Sequence, residues 1–363
     1  MKKGRIVGLS LFSGGGICET YFEQIGIHIA VANELLPERA KFYSATHPET
    51  EMICGDITDR TVFDHVIRRA KEEHVDFLLA TPPCQGMSTL GHREFQTDAR
   101  NSLVCHALKA IDILKPKYVM IENVPSFTEV IYDHSGKAVH PSEKKAKKTY
   151  RIDELMTSRY GAEYNVEMKV LNATYYKVPQ SRPRVILKVW KKGLKWDWPG
   201  ESKVITLREA IGDLPSLESG QRSGIKWHNA LVHNERQILA LSHTPEGQSA
   251  MKNPVYYPKK ADGTRVKGFH NTYNRMRWDE PAPARTTNNH LISGHNNVHP
   301  GRPRPDGTQS DARVLTFREL VIVSSLPLNW RLPKDFDETE VRQIIGEAVP
   351  PMLSKMIAEK IFD

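Results

Sequence analysis

Val75-Asp76-Phe77-Leu78-Leu79-Ala80, followed by Thr81-Pro82-Pro83-Cys84-Gln85-Gly86-Met87-Ser88, decides how this chain folds. The apolar run is short enough to be a buried strand, two prolines stop it, and Cys84 is the first side chain beyond its carboxyl end. In open α/β sheets ligands sit outside the carboxyl ends of the strands, so a thiol on a proline-stiffened loop there faces a pocket. A lone cysteine is more commonly a small buried hydrophobe. Its company argues otherwise. A second apolar run, 118–121, ends in Glu122-Asn123-Val124-Pro125, which puts a carboxylate at a strand end of the same kind. Gln180-Ser181-Arg182-Pro183-Arg184 leads into a third run, 185–189.

Upstream, 5–11 reads as a strand, Phe12-Ser13-Gly14-Gly15-Gly16 as a glycine turn, and 18–25 as helix-like, the opening of a Rossmann-type unit. A second strand, 27–32, leads to Glu34, about 20 residues after Gly14, where dinucleotide-fold logic places an acid on ribose hydroxyls. A third, 51–54, ends at Gly55-Asp56-Ile57. The glycine turn by itself suits NAD, FAD or S-adenosylmethionine. The absence of Gly-Lys-Ser/Thr excludes a P-loop, and the Pro-Cys pair favours methyl over hydride transfer.

The chain of 363 residues, 39% hydrophobic, can bury a large core, most simply as one large and one smaller domain. A formal net charge of +8 and a pI near 9.1 suit an anionic partner. Four cysteines without Cys-x-x-Cys or Cys/His spacing argue against a metal site and against a disulfide framework, which points to the cell interior. No apolar run approaches the roughly 20 residues of a membrane span, and no apolar stretch of a leader follows the basic start. The expectation is a cytoplasmic, nucleoid-associated monomer in a bacterium. Residues 142–148 read as a solvated lysine loop.

These motifs, in this order, resemble the DNA (cytosine-5)-methyltransferase family: Phe12-x-Gly14-x-Gly16, Pro83-Cys84-Gln85, Glu122-Asn123-Val124 and Gln180-x-Arg182-x-Arg184. The resemblance implies a Rossmann-like α/β fold that uses S-adenosylmethionine, with a second, smaller, β-rich domain for target recognition. It implies cofactor contacts from Phe12, Gly14, Gly16, Pro83 and Leu103, from Glu34 on the ribose, from Asp56 and Ile57 on the adenine edge, and from Val349 in the closing motif. Gln85 and Ser88 are carried over as DNA contacts. The chain departs from the family at Ser10, where an acid is usual before Leu-Phe, at Ile17, where the last loop glycine is usual, at Leu35, and at Glu347, where the family has Asn.

The chemistry explains the residue types. Carbon 5 of cytosine takes a methyl group only after something adds to carbon 6, and a thiolate, here Cys84, does this best. Ionising a thiol of pKa near 8.5 at neutral pH costs about 2 kcal/mol unless its surroundings help. Charge building on the ring needs a proton or strong hydrogen bond at N3, the role implied for Glu122, which burial must keep protonated. Arg182 or Arg184 is expected on the base's O2 and the adjacent phosphate. A base inside a duplex must first be flipped out.

The DNA-holding region is expected within 191–285, where 16 Lys/Arg outnumber 10 Asp/Glu and aromatics are interleaved, with the sequence reader between Gln221 and Tyr273. Most of the tryptophans there are expected in the core. Residues 1–190, completed by 338–363, form the expected catalytic domain, and 191–337 the recognition domain. Double-stranded DNA is the implied partner, with any restriction endonuclease encoded separately. A tRNA-directed relative and a non-catalytic DNA-binding relative are the alternatives. The missing Cys-Phe-Thr signature speaks against the first, and intact Cys84, Glu122 and Arg182 against the second.

Overall fold

The computed structural model describes residues 5–83, 99–139, 148–269 and 271–363, with backbone alone at 99 and 100. The strands are β1 (Ile6–Leu11), β2 (Ile27–Glu34), β3 (Glu51–Cys54), β4 (Phe77–Ala80), β5 (Tyr118–Asn123), β6 (Tyr164–Asn172), β7 (Gln180–Ser181), β8 (Pro183–Lys191) and β9 (Ala282–Pro283). The helices are α1 (Phe22–Ile25), α2 (Pro37–Thr46), α3 (Arg60–Glu72), α4 (Val104–Leu114), α5 (Ile152–Tyr160), α6 (Leu207–Ile211), α7 (Glu235–Ser242), α8 (Phe317–Val323), α9 (Glu338–Glu347) and α10 (Pro351–Ala358).

The chain divides into two units: residues to Asn172, Pro183–Gly200 and Ser354–Asp363 form the first, and Ala173–Arg182 with Glu201–Leu353 the second. Residues 338–353, expected with the catalytic domain, thus cluster with the second unit, and the division falls inside α10.

The first unit is built on a seven-stranded sheet in the order β3-β2-β1-β4-β5-β8-β6. The first five strands run parallel, β8 is antiparallel to β5, and β6 is antiparallel to β8. A parallel sheet covered on both faces needs continuous apolar strands, and β4 (Phe-Leu-Leu-Ala) and β5 (Tyr-Val-Met-Ile) supply them, buried throughout. Strand order reverses between β1 and β4, so the ligand crevice of this fold lies at their carboxyl ends. This is the expected Rossmann-like class. The helix anticipated from Cys18 is reduced to α1, behind a run of turns. Ahead of α4 the chain makes a 3-10 turn, Ala99–Ser102. α4 ends at Lys115, in a left-handed conformation (φ 48°) before Pro116.

From Ser354 on, the chain closes the first unit. The Ser354 hydroxyl donates to the carbonyl of Cys18, and the Trp196 indole N–H donates to the carbonyl of Ile357 at 2.9 Å.

The second unit is not β-rich. Among its described residues the named strands are β7 and β9, two residues each, paired in parallel, beside short helices and isolated bridges. Prolines and glycines at 245, 254, 258, 263 and 268 interrupt every apolar run before it can become a strand. Buried charge organises this unit instead. All five N–H groups of Arg313, which is fully buried, are used: on Glu319 (2.7 and 3.0 Å), Asp311 (2.8 Å), and the carbonyls of Leu217 (2.7 Å) and Val314 (3.0 Å). Glu319 also closes the capping box of α8 with Thr316. Buried Arg275 donates to the carbonyls of Leu241, His299 and Asp311. Glu319 thus pairs with Arg313 inside the fold, while Arg318 donates to the carbonyl of Lys226.

Candidate active site

At the carboxyl end of β1 the chain turns sharply, with left-handed φ at Phe12 (59°), Gly14 (55°) and Gly16 (73°). At Gly16 both conformation and space demand glycine, since a Cβ there would lie 2.6 Å from the His47 ring and 2.8 Å from Tyr43. At Gly14 a Cβ would meet nothing within 4 Å, so the turn presents open backbone at the crevice. The Ser13 hydroxyl fastens the turn to the carbonyls of Ser10 (3.0 Å) and Asn33 (3.1 Å).

Glu34, at the end of β2, is held in place by two backbone donors: Gly14 N–H to Oε2 (2.8 Å) and Leu36 N–H to Oε1 (2.9 Å). Each carboxylate oxygen keeps a second lone pair, so Glu34 can still accept from a diol. The end of β3 is tied in by Asn33, whose amide donates to the carbonyls of Ile53 (2.9 Å) and Gly55 (3.1 Å). Asp56 is exposed and accepts from Thr58 N–H (2.8 Å), while Ile57 is buried beside it. A glycine turn with an acid on the neighbouring strand fits the ribose and amino-acid ends of S-adenosylmethionine.

Across the crevice, Thr81 bonds back to β1, its hydroxyl to the carbonyl of Phe12 (2.8 Å) and its N–H to that of Leu11 (3.2 Å). The Asn123 amide donates to the carbonyl of Pro82 (3.0 Å), which fixes the start of the proline loop against β5. Pro83 is half-buried. Cys84, Gln85 and Ser88 lie outside the described residues.

Glu122 stands near the end of β5 opposite Ile186 of β8. Arg184, two residues along, shares that face. Its Nε meets Glu122 Oε1 at 2.8 Å with both side chains nearly enclosed, 13% and 9% exposed. The two arginines of one short motif part company here. Arg182 belongs to the second unit and donates to the carbonyls of Arg285 (2.6 Å), Gly346 (2.9 Å) and Glu347 (3.0 Å). Arg184 is left as the guanidinium beside Glu122. Leu103 is half-buried at the start of α4, and Val349 is buried in the second unit.

Sequence reasoning missed one group. Glu19, in the turns behind the glycine loop, is 3% exposed, and burial pushes its carboxyl up to about 7. It faces the hydroxyls of Ser10, which stands where the resemblance expects an acid, and of Tyr43 on α2. An acid between Cys18 and Thr20 in an otherwise apolar stretch was the available signal.

In the reader region, a hairpin-like segment closes through a Lys259–Arg265 bridge, with both side chains over the Tyr257 ring (5.2 and 4.3 Å). Tyr256 stacks on His243 at 3.5 Å, and Val255 and Phe269 are 65% and 73% exposed. Of the tryptophans in 191–285, Trp196 and Trp278 are buried, while Trp198 and Trp227 are half-buried. Among the described residues, no cluster of His, Cys, Asp or Glu could hold a metal, and no helix is long and apolar enough to cross a membrane.

The family model for C-5 cytosine-specific DNA methylases matches residues 6–363. The type II methyltransferase M1.HgaI of Avibacterium volantium is 45% identical over 369 residues, covering 100% of this chain and 99% of that one. The type II methyltransferase M1.HphI of Haemophilus parahaemolyticus is 28% identical, covering 97% and 86%. Among solved structures, a mutant of Spodoptera frugiperda DNMT2 superposes with a TM-score of 0.62 at 16% identity over 99% and 100% of the two chains, a likeness of fold.

Proposed function

The chain belongs to the C-5 cytosine-specific DNA methylase family, and we propose that it is a type II modification enzyme that methylates carbon 5 of a flipped cytosine within a short double-stranded DNA sequence. S-adenosylmethionine supplies the methyl group as an electrophile, held by Phe12, Gly14, Gly16, Pro83, Leu103 and Val349, by Glu34 at the ribose, and by Asp56 and Ile57 at the adenine. The observation that carries the mechanism is the enclosed Glu122–Arg184 pair beside the reversal point of the sheet.

The Cys84 thiolate adds to carbon 6, and the displaced electron pair runs through the ring toward N3 and O2. Glu122 shares a proton at N3, and Arg184 offers donors toward O2 and the flanking phosphate, while Arg182 supports the motif through its backbone bonds. Carbon 5 is thereby made nucleophilic and takes the methyl. Loss of the carbon 5 proton to a base then expels Cys84 as thiolate and restores the aromatic ring. Gln85, Ser88 and the region from Gln221 to Tyr273 hold and read the duplex. The enzyme works as a monomer in the bacterial cytoplasm, and a cognate restriction endonuclease is a separate chain.

The test is to incubate the purified protein with labelled S-adenosylmethionine and either genomic DNA or tRNA, then to map converted cytosines by bisulfite sequencing. Label at one short recurring DNA sequence is the expected result. Label confined to tRNA, or none despite DNA binding, overturns the proposal.

A further inference from the structure

Under the glycine turn lies a carboxyl to which the mechanism assigns no work. Glu19 reaches beneath Phe12–Gly16 toward the hydroxyls of Ser10 on β1 and Tyr43 on α2, yet neither closes a well-formed hydrogen bond with it. The turn rests on the same wall, since Gly16 packs directly against Tyr43 and His47, whose rings stack at 4.6 Å. The other buried carboxylates at this sheet edge are already compensated: Glu34 by two backbone donors and Glu122 by Arg184. Glu19 is, among the described residues, the buried acid at this edge whose oxygens meet neither a cation nor a well-formed hydrogen bond.

We propose that Glu19 is a positioning residue that acts through the glycine turn as a buried counter-charge, favouring the cationic sulfonium cofactor over the neutral thioether left after methyl transfer. The proposal rests on the methyltransferase reading. Product release benefits directly, because the attraction vanishes with the methyl group.

The surrounding groups isolate this charge. Burial pushes the Tyr43 hydroxyl and the Cys18 thiol well above their usual ranges, and pushes His47 down to about 4, so all three stay neutral near pH 7. Ser10 carries no charge, Glu122 faces Cys18 but is bound to Arg184, and Glu23 lies beside His47 at the surface. The Glu19 carboxyl, at about 7, is the one of these that changes charge in the neutral range. A cation held over the turn favours the carboxylate, so its binding expels a proton and its affinity rises with pH, whereas a neutral ligand gains nothing.

Isothermal titration of the full-length protein with S-adenosylmethionine and with S-adenosylhomocysteine, in buffers of differing ionisation enthalpy, tests this. Between about pH 6 and about pH 8.5 the affinity for S-adenosylmethionine should rise about tenfold with proton release, and that for S-adenosylhomocysteine by less than about twofold. Glu19→Gln should abolish the pH dependence and the proton release and cut the preference for the cation about tenfold at high pH, while Glu19→Asp should keep both. A Glu19→Gln variant with the wild-type pH profile, or one equally weakened toward both ligands, overturns the proposal. If neither ligand binds the wild type, the methyltransferase reading fails first and this inference with it.

Discussion

Replacing Arg313 by Met tests how the second unit is held together. The substitution keeps an unbranched side chain of comparable length but removes five donors at once, leaving Asp311 and Glu319 as neighbouring buried carboxylates and the Leu217 carbonyl without its partner. Removing one member of a buried ion pair costs roughly 3–5 kcal/mol, mostly through the charge left behind. For a unit of this size each kcal/mol lowers the melting temperature by about 2–4 °C, so the expected drop is about 6–20 °C at neutral pH. Scanning calorimetry reads this directly. Arg304→Met is the control, because Arg304 is 38% exposed where it pairs with Glu218 and such a pair is worth at most about 1 kcal/mol.

The loss also has a pH signature. The Arg313 guanidinium holds the Glu319 carboxyl down at about 2, while His299 and Arg313 together hold Asp311 further below its usual range. Depressed acids stabilise the fold above their unfolded values, and that contribution is lost as pH falls from about 4 toward the folded values. In the variant most of it is already gone, so the gap to wild type should close below about pH 4. Burial also pushes His299 down to about 3, so it folds neutral, and wild-type stability should begin to fall below about pH 6.5 by roughly 1.4 kcal/mol per pH unit from this group. An Arg313→Met protein melting within about 3 °C of wild type would refute the ion-pair account.

Cys84→Ala should abolish methyl transfer while leaving DNA and cofactor affinity within about tenfold, because the thiol acts only along the reaction path. Full turnover in that variant sinks the mechanism. Glu34→Ala should weaken S-adenosylmethionine binding by about tenfold or more, since it removes the ribose acceptor together with the anchor of Gly14, and unchanged affinity in calorimetry would move the ribose elsewhere. Lys259→Ala with Arg265→Ala should reduce the salt dependence of DNA binding by about one unit of slope for each phosphate no longer neutralised, and an unchanged slope places the basic hairpin off the duplex.

The parallel half of the first unit was legible because its strands are uninterrupted apolar runs whose ends carry the chemistry. Phe77–Ala80 and Tyr118–Asn123 lie where the pattern placed them, and Gly14 and Glu34 meet at the ends of the neighbouring β1 and β2. β6 was not legible, since it alternates partly exposed polar and apolar residues at a sheet edge. Nor was the parting of Arg182 from Arg184, because the carbonyls that capture Arg182 lie more than 100 residues away in sequence. The partner of buried Glu319 was not legible either, since Arg313 precedes the helix that carries the acid. The second unit defeated pattern reading because its cohesion comes from buried guanidiniums on backbone carbonyls, which leave no periodic trace.

The return of the chain from Ser354 to the first unit also sets an order of events during synthesis. β1, β2 and the glycine turn are made early, but the Cys18 carbonyl next to that turn waits for Ser354, 336 residues further along, and Trp196 waits for Ile357, 161 residues further along. All seven strands are made by Lys191, yet these two bonds wait for α10. A chain that stops before Ser354 lacks both bonds and leaves the Cys18 carbonyl beside the glycine turn without that donor.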